Sequence, residues 1–492
     1  MGKMDVKSNN FVKYKDLLTI KEFDKETDKE EFCLLPLEDE YVVGKYQEGK
    51  NMLKYGKRVP VRKSVYNKLI EAGKLLKKYN SNYKLMVVYG LRDMKLQEKY
   101  FYDILEEEKN NFDDEMEMYE YIHEKIAVPT VAGHPTGGAV DIAICNEKYE
   151  ILDFGSIILD WDDKKCYYNT ENITEQAKEN RKLLRKVMLE NGFAPYDGEW
   201  WHYSYGDKEW AFYYKKEKAL YNQVNAEDVL EKIKYITFVP GGNKTALVLG
   251  DNYSKRNMIN DFIMEEDSTI EQVGFLNTNG KYELQMAGGE FCGNATRSSI
   301  FYYLNAKQGN LKITVNSKDI INGGIDENND VWCEIPIELE NQIEKIEDEV
   351  YKVNLKGMVS VIILENKAKE YLKDRTKLKE IGMSLIEKYN LKNNEAVGVM
   401  FLEKNEKLTI NPVVWVRSIN TLFYETACGS GTTATAMVKT FLSRKSQNIE
   451  ILQPSNMIIK ADIELNGDKI VGAKISGKVE SNFEEKEITI LR

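Results

Sequence analysis

The stretches that decide the fold of the second half of this chain are GGEFCGNATR (residues 288–297) and ETACGSGT (residues 425–432). In each stretch a cysteine, Cys292 or Cys428, is followed by small residues and then by a helical pattern. The pattern predicts that both thiols lie at helix N-termini, where the positive end of the helix dipole favours the thiolate. Because this texture occurs twice, with strands leading into each helix, it indicates two similar lobes.

Two thiols in similar settings suit a reaction that inverts a carbon atom next to a carboxylate. Such a reaction needs a base on one face of the carbon and an acid on the other, and a thiolate and a thiol can fill these roles. The small residues after each cysteine would let a substrate carboxylate approach backbone N–H groups. The alternative is that both cysteines are inert packing residues, since buried free cysteine is common.

A second constellation lies in the first half of the chain, which has only three histidines in total. Two of them belong to tight motifs, HPTGGAVD (residues 134–141) and EWWH (residues 199–202). A zinc hydrolase needs about three ligands of His, Asp or Glu type and an open position. The side chains of His134, Asp141 and His202 supply that set.

Glu199 and His123 take different places in this interpretation. Glu199 lies three residues before His202, near enough to act as a general base toward the attacking water without binding the metal. His123 lies in a polar helical run, which predicts a surface side chain. Each motif alone is more often an ordinary turn or an aromatic edge, whereas both together favour a metal site.

The bulk composition sets limits on the class of protein. A chain of 492 residues is too long for one core, so two to four domains are expected. The net charge of −11 argues against nucleic acid or an anionic membrane as a main partner. No signal peptide or membrane span is visible, which predicts a cytoplasmic protein. The six cysteines form no CxxC pair, so neither a disulfide framework nor a zinc–thiolate knuckle is expected.

The residue pattern predicts an α+β fold in which the predicted secondary structure changes, near residue 235, from mixed helices and strands to mainly short strands. Before that point we expect helices over 61–80, 94–126 and 173–191, strands over 84–89 and 138–145, two short strands within 200–214, and a charged helical linker over 216–231. After it we expect many short strands, with helices that begin near Cys292, Asp374 and Cys428.

Residues 30–215 resemble the zinc D-Ala-D-Ala dipeptidases of the VanX type through the HxxxxxxD and EWWH motifs. The resemblance implies Zn²⁺ held by the three ligands named above, with Glu199 as the catalytic base. It also implies that Arg92, in YGLRD (residues 89–93), stabilises the transition state. DFGS (residues 153–156) resembles the family's Asp-Met-Gly-Thr segment, which favours the dipeptidase branch over the carboxypeptidases. The implied substrate is a short D,D-dipeptide.

Residues 232–492 resemble the diaminopimelate epimerase fold, and in particular the cofactor-independent amino-acid racemases that include histidine racemases. Besides the two cysteine stretches, the resemblance lies in EQVGF (271–275) and VGVM (397–400). It implies that Cys292 and Cys428 are the catalytic acid and base and that no cofactor is needed. The residues that it implies in substrate binding are Asn243, Gly293, Asn294, Gly429 and Ser430.

Two departures from the epimerase pattern narrow the substrate. GMVS (residues 357–360) stands about where the epimerases have Gly-Asn-Pro-His. The Glu-Arg-Gly segment before the second cysteine is also missing, and Arg417 stands at a different spacing. Diaminopimelate is therefore not the expected substrate. The presence of both cysteines argues against the related dehydratases.

Together these resemblances predict a bifunctional enzyme that hydrolyses a D,D-dipeptide and racemises an amino acid. The predicted domains are residues 1–222 and 232–492, the second with lobes over 232–345 and 346–492. The expected partners are small-molecule substrates, with the oligomeric state left open and a homodimer as one alternative. A cell-wall peptidase of other stereospecificity, fused to an epimerase-like domain that binds amino acids or acts on diaminopimelate-like substrates, is the alternative function. A binding protein, or a first half that only supports the second, are further alternatives.

Overall fold

The computed structural model describes residues 11–46, 51–160, 164–338, 340–404 and 406–492. The chain divides into two compact units. The first unit runs to Lys232 and includes Thr489–Arg492, and the second is Ile233–Ile488. Within the described residues, no helix is both long and apolar enough to cross a membrane.

The first unit is built around one five-stranded sheet. Its helices and strands in chain order are α1 (Tyr14–Leu17), β1 (Phe32–Leu34), β2 (Val42–Gly44), β3 (Pro60–Arg62), α2 (Lys63–Lys77), β4 (Lys84–Tyr89), α3 (Met94–Glu108), α4 (Glu115–His123), β5 (Ala139–Cys145), α5 (Glu175–Glu190), β6 (Ala194–Pro195), β7 (His202–Ser204), α6 (Lys208–Tyr213) and α7 (Ala226–Val229). The sheet has the strand order β2-β4-β5-β7-β6, and β1 pairs separately with β3.

The apolar face of α2 shows why this sheet is covered. Val65, Leu69, Ala72 and Leu76 recur at helical spacing and are all fully buried. The helix packs against β4 and α5. Strand β5 is buried at all seven positions, so it lies in the centre of the unit and carries polar residues there only where they have partners.

Three predictions for the first unit are wrong in detail. The helix predicted over 94–126 is two helices, because the Asp114 carboxylate accepts a hydrogen bond from Glu117 N and starts α4 afresh. The second strand predicted after β7 is the helix α6, whose first turn is capped by Asp207 through a bond from Trp210 N. Asp114 and Asp207 are both strong helix N-caps. Around Asp207, the alternation of aromatic residues had indicated strands instead.

The charged helical linker predicted over 216–231 is also wrong. Only α7 is helical within it, and Ala219 and Tyr221 are buried in the first unit. The Tyr221 hydroxyl donates a hydrogen bond to Glu30, and Asn222 N donates one to Asp28. The apolar side chains between the charges hold this segment against the unit.

The second unit is mainly strands. Its helices and strands in chain order are β8 (Leu230–Pro240), β9 (Thr245–Leu249), α8 (Arg256–Glu266), β10 (Gln272–Leu276), β11 (Glu283–Met286), α9 (Gly293–Tyr303), β12 (Gly309–Val315), β13 (Asp319–Ile325), β14 (Val331–Glu334), β15 (Ile343–Glu347), β16 (Val350–Leu355), β17 (Met358–Ile363), α10 (Glu365–Tyr371), α11 (Leu378–Lys388), β18 (Ala396–Lys404), β19 (Leu408–Val416), β20 (Thr421–Tyr424), α12 (Gly429–Ser443), β21 (Gln447–Leu452), β22 (Ile458–Asn466), β23 (Lys469–Gly477), β24 (Val479–Glu480) and β25 (Glu485–Leu491).

The helices α9 and α12 are the cores of two similar lobes. Strands β9 to β14 contact α9, and strands β16 to β19 together with β21 to β23 contact α12. Most of each helix is buried among these strands. Both helices begin directly after a cysteine, as the two quoted stretches predict. The helix α8 was not predicted.

Two candidate active sites

The first site is formed by His134, Asp141 and His202, which are all buried. One ligand atom from each lies within 4.8 Å of the others. His134 begins a single 3₁₀ turn ahead of β5, and Asp141 lies within β5. His202 begins β7 and is the direct cross-strand partner of Asp141. Adjacent antiparallel strands therefore bring together side chains that lie far apart in the sequence.

Each histidine ring has one nitrogen toward Asp141 and the other held by a different partner. His134 Nε2 lies 3.4 Å from Asp141 Oδ1, and its Nδ1 lies 2.8 Å from the Gly90 carbonyl. His202 Nδ1 lies 3.1 Å from Asp141 Oδ1, while its Nε2 lies 3.4 Å from Glu209 Oε2. Outer partners of this kind fix the orientation of metal-binding imidazoles. The three residues therefore fit a metal ion.

The charges in this cluster stabilise one another. Burial alone would raise the pKa of Asp141, but the charges and hydrogen bonds of His134 and His202 bring it below its usual value. Burial would lower the pKa of His202, but the carboxylates of Glu209 and Asp141 raise it well above its usual value. The pKa of His134 is lowered by burial.

A cavity of about 390 Å³ adjoins the cluster and is lined by Arg92 and Glu199 as well. Glu199 Oε2 lies 3.8 Å from His202 Nδ1, on the side that faces Asp141. The Arg92 guanidinium lies over the ring of Tyr89, 4.9 Å from its centroid, and its Nη1 donates to Gln97. Its Nε is buried without a hydrogen-bond partner among the described residues. The structure thus brings the five predicted residues of this site together.

His123 and Glu209 also line this cavity. The prediction that His123 is a surface residue is wrong, because the ring is buried, its Nδ1 accepts a hydrogen bond from Val128 N, and burial lowers its pKa. The polar residues of α4 had indicated a helix exposed to solvent, but Ile122 and His123 in its last turn are buried. Glu209 was missed because no sequence spacing connects it with His202.

The DFGS segment (153–156) supports the EWWH segment from the outside of the cluster. The ring of Phe154 stacks on Trp200 with 4.2 Å between centroids, and Trp200 Nε1 donates to the Ser156 hydroxyl. These contacts hold the chain just after Glu199.

The second site lies where α9 and α12 begin. Cys292 and Cys428 are the N-cap residues of the two helices and have nearly the same backbone angles, φ −122° and ψ 111° against φ −130° and ψ 109°. The sulfur of Cys292 accepts from Ala295 N at 3.4 Å, and that of Cys428 accepts from Gly431 N at 3.3 Å. Both thiols line one cavity together with Gly293, Asn294, Gly429 and Ser430.

The two helix starts approach each other closely. The Asn294 side chain donates to the Ala427 carbonyl at 2.9 Å. A Cβ added at Gly293 or Gly429 would lie 2.8 or 2.9 Å from the same methyl group, Ile475 Cδ1. A side chain at either position would have to displace Ile475, which is consistent with the glycine after each cysteine.

A chain of hydrogen bonds runs from the Cys292 thiol through Gln272 to Glu425. The Cys292 thiol donates to Gln272 Oε1 at 3.0 Å, and Gln272 Nε2 donates to Glu425 Oε1 at 3.0 Å. Burial is the main cause that raises the pKa of Cys428, and the negative charge of Glu425 raises it further. Burial is also the main cause that raises the pKa of Cys292. The expectation that the helix ends favour thiolates is therefore wrong, because the cost of burying a charge exceeds the effect of the helix dipole.

Three carboxyl groups around the thiols were missed as site residues. Burial raises the pKa of Glu271 and Glu290 to about 7 each, and that of Glu425 to about 8. Glu290 and Glu425 lie two and three residues before the cysteines, so the signal was present in the quoted stretches. The cavity measures about 40 Å³, which admits water and is too small for a free amino acid.

Neither Asn243 nor Arg417 lines the cavity that contains the thiols. Asn243 is fully buried, donates to Glu271 and to the Ala427 carbonyl, and is not part of the cavity wall. It positions the loop before Cys428. Arg417 is exposed and donates to the Asn393 carbonyl, so it does not replace the missing arginine of the epimerases.

These geometries define a chain with a metallopeptidase-type unit and an epimerase-type unit. The chain belongs to the family described as the histidine racemase CntK N-terminal domain, whose model matches residues 232–484. Residues 35–223 match the model of the D-Ala-D-Ala dipeptidase family, peptidase M15. The predicted family resemblances and the mixed α+β fold are confirmed.

Curated relatives agree with both matches. A histidine racemase of Fusobacterium nucleatum is 30% identical over 253 residues, 46% of this chain and 88% of the relative. A histidine racemase of Staphylococcus aureus is 23% identical over 249 residues, 46% of this chain and 87% of the relative. A D-alanyl-D-alanine dipeptidase of Synechocystis is 33% identical over 114 residues, 20% of this chain and 46% of the relative. The last alignment thus covers about half of the dipeptidase.

The Glu209 carboxylate is expected to support metal binding through His202. Glu209→Gln removes the charge beside His202 Nε2 and should weaken Zn²⁺ binding about 10- to 100-fold, measured by competition with a chromophoric chelator. Glu179→Gln, at an exposed residue of α5, is the matched control. An affinity within twofold of the unchanged protein would contradict a role for Glu209.

The buried thiols are expected to react slowly without substrate. Because their pKa values are raised, the thiolate fraction of Cys292 and Cys428 is small at pH 7.5. Alkylation by iodoacetamide, followed site by site by mass spectrometry, should be slower than for glutathione and should still rise at pH 9. A plateau below pH 8 at either cysteine would show a lowered pKa and contradict this reading.

Proposed function

We propose that this chain is a bifunctional enzyme. The first unit hydrolyses dipeptides of the D-Ala-D-Ala type with Zn²⁺, and the second racemises histidine by a two-thiol mechanism without a cofactor. The observation that carries this proposal is that each unit matches a catalytic family and also holds a complete set of reactive side chains in one cavity.

In the first unit, His134, Asp141 and His202 would hold the zinc ion. When bound, the ion supplies positive charge that polarises the peptide carbonyl and makes water more acidic. Glu199, beside the ligand cluster, accepts the proton of the attacking water and passes it to the leaving amine. Arg92 lines the same cavity, where its guanidinium stabilises the negative charge that develops on the carbonyl oxygen.

The dipeptidase proposal predicts release of free D-alanine from D-Ala-D-Ala by the zinc-loaded full chain. Glu199→Gln should lower kcat by at least about 100-fold, since the proton acceptor is lost, while Zn²⁺ affinity stays within a few-fold. Chelation should abolish the activity and added Zn²⁺ should restore it. Glu179→Gln is again the control.

A panel of dipeptides of mixed chirality separates this function from its alternative. Faster hydrolysis of L,D- or L,L-dipeptides than of the D,D-dipeptide would support a peptidase of other stereospecificity. No hydrolysis of any member would refute the proposal for the first unit.

In the second unit, one thiol is deprotonated and removes the α-proton, and the other thiol donates its proton to the opposite face of the carbon. One C–H bond breaks and another forms, so the configuration inverts and the two sulfurs exchange protonation states. Backbone N–H groups at the starts of α9 and α12 would hold the substrate carboxylate, which lies in the positive field of both helix dipoles. Because the cavity of about 40 Å³ is too small for an amino acid, this mechanism requires its walls to move apart when the substrate binds.

Histidine is proposed as the substrate because the matched family and the aligned relatives are described as histidine racemases. The alignment with the Fusobacterium relative spans most of that protein. Three carboxyl groups around the thiols also suit an amino acid that carries a basic side chain.

The racemase proposal predicts exchange of the histidine α-proton in heavy water, with formation of the other enantiomer. Cys292→Ser and Cys428→Ser should each lower racemisation by at least about 1,000-fold, because a serine hydroxyl is a far weaker acid than a thiol. Cys333→Ser, at a buried thiol of the same unit that does not line the cavity, is the matched control.

Racemisation that survives either active-site substitution would refute the two-thiol mechanism. A wild-type chain that racemises another common amino acid but not histidine would refute the substrate assignment alone.

A further inference from the structure

Glu290 is a buried carboxyl group of the thiol cavity that the two-thiol reaction does not use. The residue is only 7% exposed and lines the cavity two residues before Cys292. Its Oε2 atom is buried and has no hydrogen-bond partner among the described residues. A buried carboxyl oxygen without a partner costs stability, so it calls for a functional explanation.

The backbone around Glu290 is built to hold this side chain in place. Asn316 Nδ2 donates to the carbonyl groups of Gly289 and Glu290, at 2.9 and 2.7 Å. A Cβ added at Gly288 would lie 2.3 Å from Glu290 Oε2 and 2.5 Å from Val416 Cγ1. The missing side chain of Gly288 thus gives the carboxyl group its space and places it next to Val416, a residue of the cavity wall.

Of the other carboxyl groups of the cavity, Glu271 has partners for both oxygens, whereas Glu425 has one for Oε1 and none for Oε2 among the described residues. Gln272 bonds to the Cys292 thiol and to Glu425, and Glu271 accepts from Asn243 and Thr426. Besides Thr421, the part of the wall contributed by residues 358–423 is apolar. Its apolar members are Met358, Ala396, Val414, Val416, Ile419 and Phe423. Glu290 and Glu425 are therefore the two carboxyl groups of the cavity with an unpartnered oxygen, and Glu425 is already tied to Gln272 through its other oxygen. Glu290 is the one that lies beside an apolar wall residue, Val416, where a substrate side chain can reach it.

We propose that Glu290 accepts a hydrogen bond from an N–H group of the substrate side chain. The cavity then selects amino acids whose side chain carries such a donor and rejects apolar side chains of similar size. This inference rests on the proposed racemase function and assigns to Glu290 the recognition of the substrate side chain. Glu290 is a specificity-determining residue, and the α-proton transfer itself stays with the two thiols.

The test compares histidine with leucine, which has a side chain of similar size and no N–H donor. Binding to the full chain is measured by calorimetry, and α-proton exchange is measured in heavy water. The wild-type chain should bind histidine at least about tenfold more tightly than leucine. Glu290→Met should remove this preference by weakening histidine binding at least tenfold, with leucine binding changed less than threefold.

Gly288→Ala is a second variant that keeps the carboxyl group but displaces it, since the new methyl group would overlap Oε2. It should reduce the preference for histidine in the same direction. Glu395→Gln, at an exposed residue whose charge acts on Glu290 from outside the cavity, is the matched control and should keep the preference. Thermal unfolding of each variant shows whether it is folded.

The outcomes separate this inference from the racemase function. If the wild type exchanges the histidine α-proton and both variants keep the preference for histidine, the role of Glu290 is refuted and the function stands. If Glu290→Met weakens the binding of histidine and of leucine equally, Glu290 contacts the α-amino group that both amino acids share. That result would also refute its proposed role in selecting the side chain. If no α-proton exchanges but histidine binds with a preference that Glu290→Met removes, the function fails and the role of Glu290 stands.

Discussion

The close approach of two helix N-termini is the constraint on which the second unit depends. The starts of α9 and α12 meet at Gly293 and Gly429, and the Asn294 side chain bonds across them to the Ala427 carbonyl. An added Cβ at Gly293 would lie only 3.8 Å from Gly429 Cα and would also press on the Ile475 side chain. Because the helices are enclosed by strands on their other sides, their starts face one shared cavity, and the two thiols come to lie in it together.

This arrangement sets two electrostatic effects against each other. Helix N-termini favour negative charge, whereas burial in a narrow cavity opposes it. Burial prevails, so the pKa values of both thiols and of the three neighbouring carboxyl groups are raised. Protonation of these groups therefore keeps the charge of the cavity low, although five acidic side chains line it.

In the first unit, the cost of burying charged groups is offset because these groups pair with one another. Asp141 lies between two imidazoles, and each imidazole has a further acceptor on its other nitrogen, the Gly90 carbonyl or Glu209. These contacts keep a charged cluster inside the unit and turn the three ligand atoms toward one point. The adjacent arginine and glutamate then face a cavity with opposite charges at its wall.

Much of this could be predicted from the sequence. Short motifs with unusual composition revealed the two cysteines and the histidine–aspartate set, because reactive residues need glycine or small neighbours at defined positions. The predicted strands over 84–89 and 138–145 match β4 and β5 closely. The helix breaks at Asp114 and the true course of residues 216–231 were missed, since capping hydrogen bonds and packing against distant residues overrule local periodicity.

The local chemistry can therefore be deduced from the amino-acid sequence alone: which side chains can act as ligands, acids and bases, and which turns hold them. How these groups affect one another depends on the tertiary structure. The roles of Glu209, Gln272, Glu425 and Glu290 depend on contacts between segments far apart in the chain, and the protonation of the thiols depends on burial. Both are properties of three-dimensional packing, because burial and distance exist only once the chain has folded.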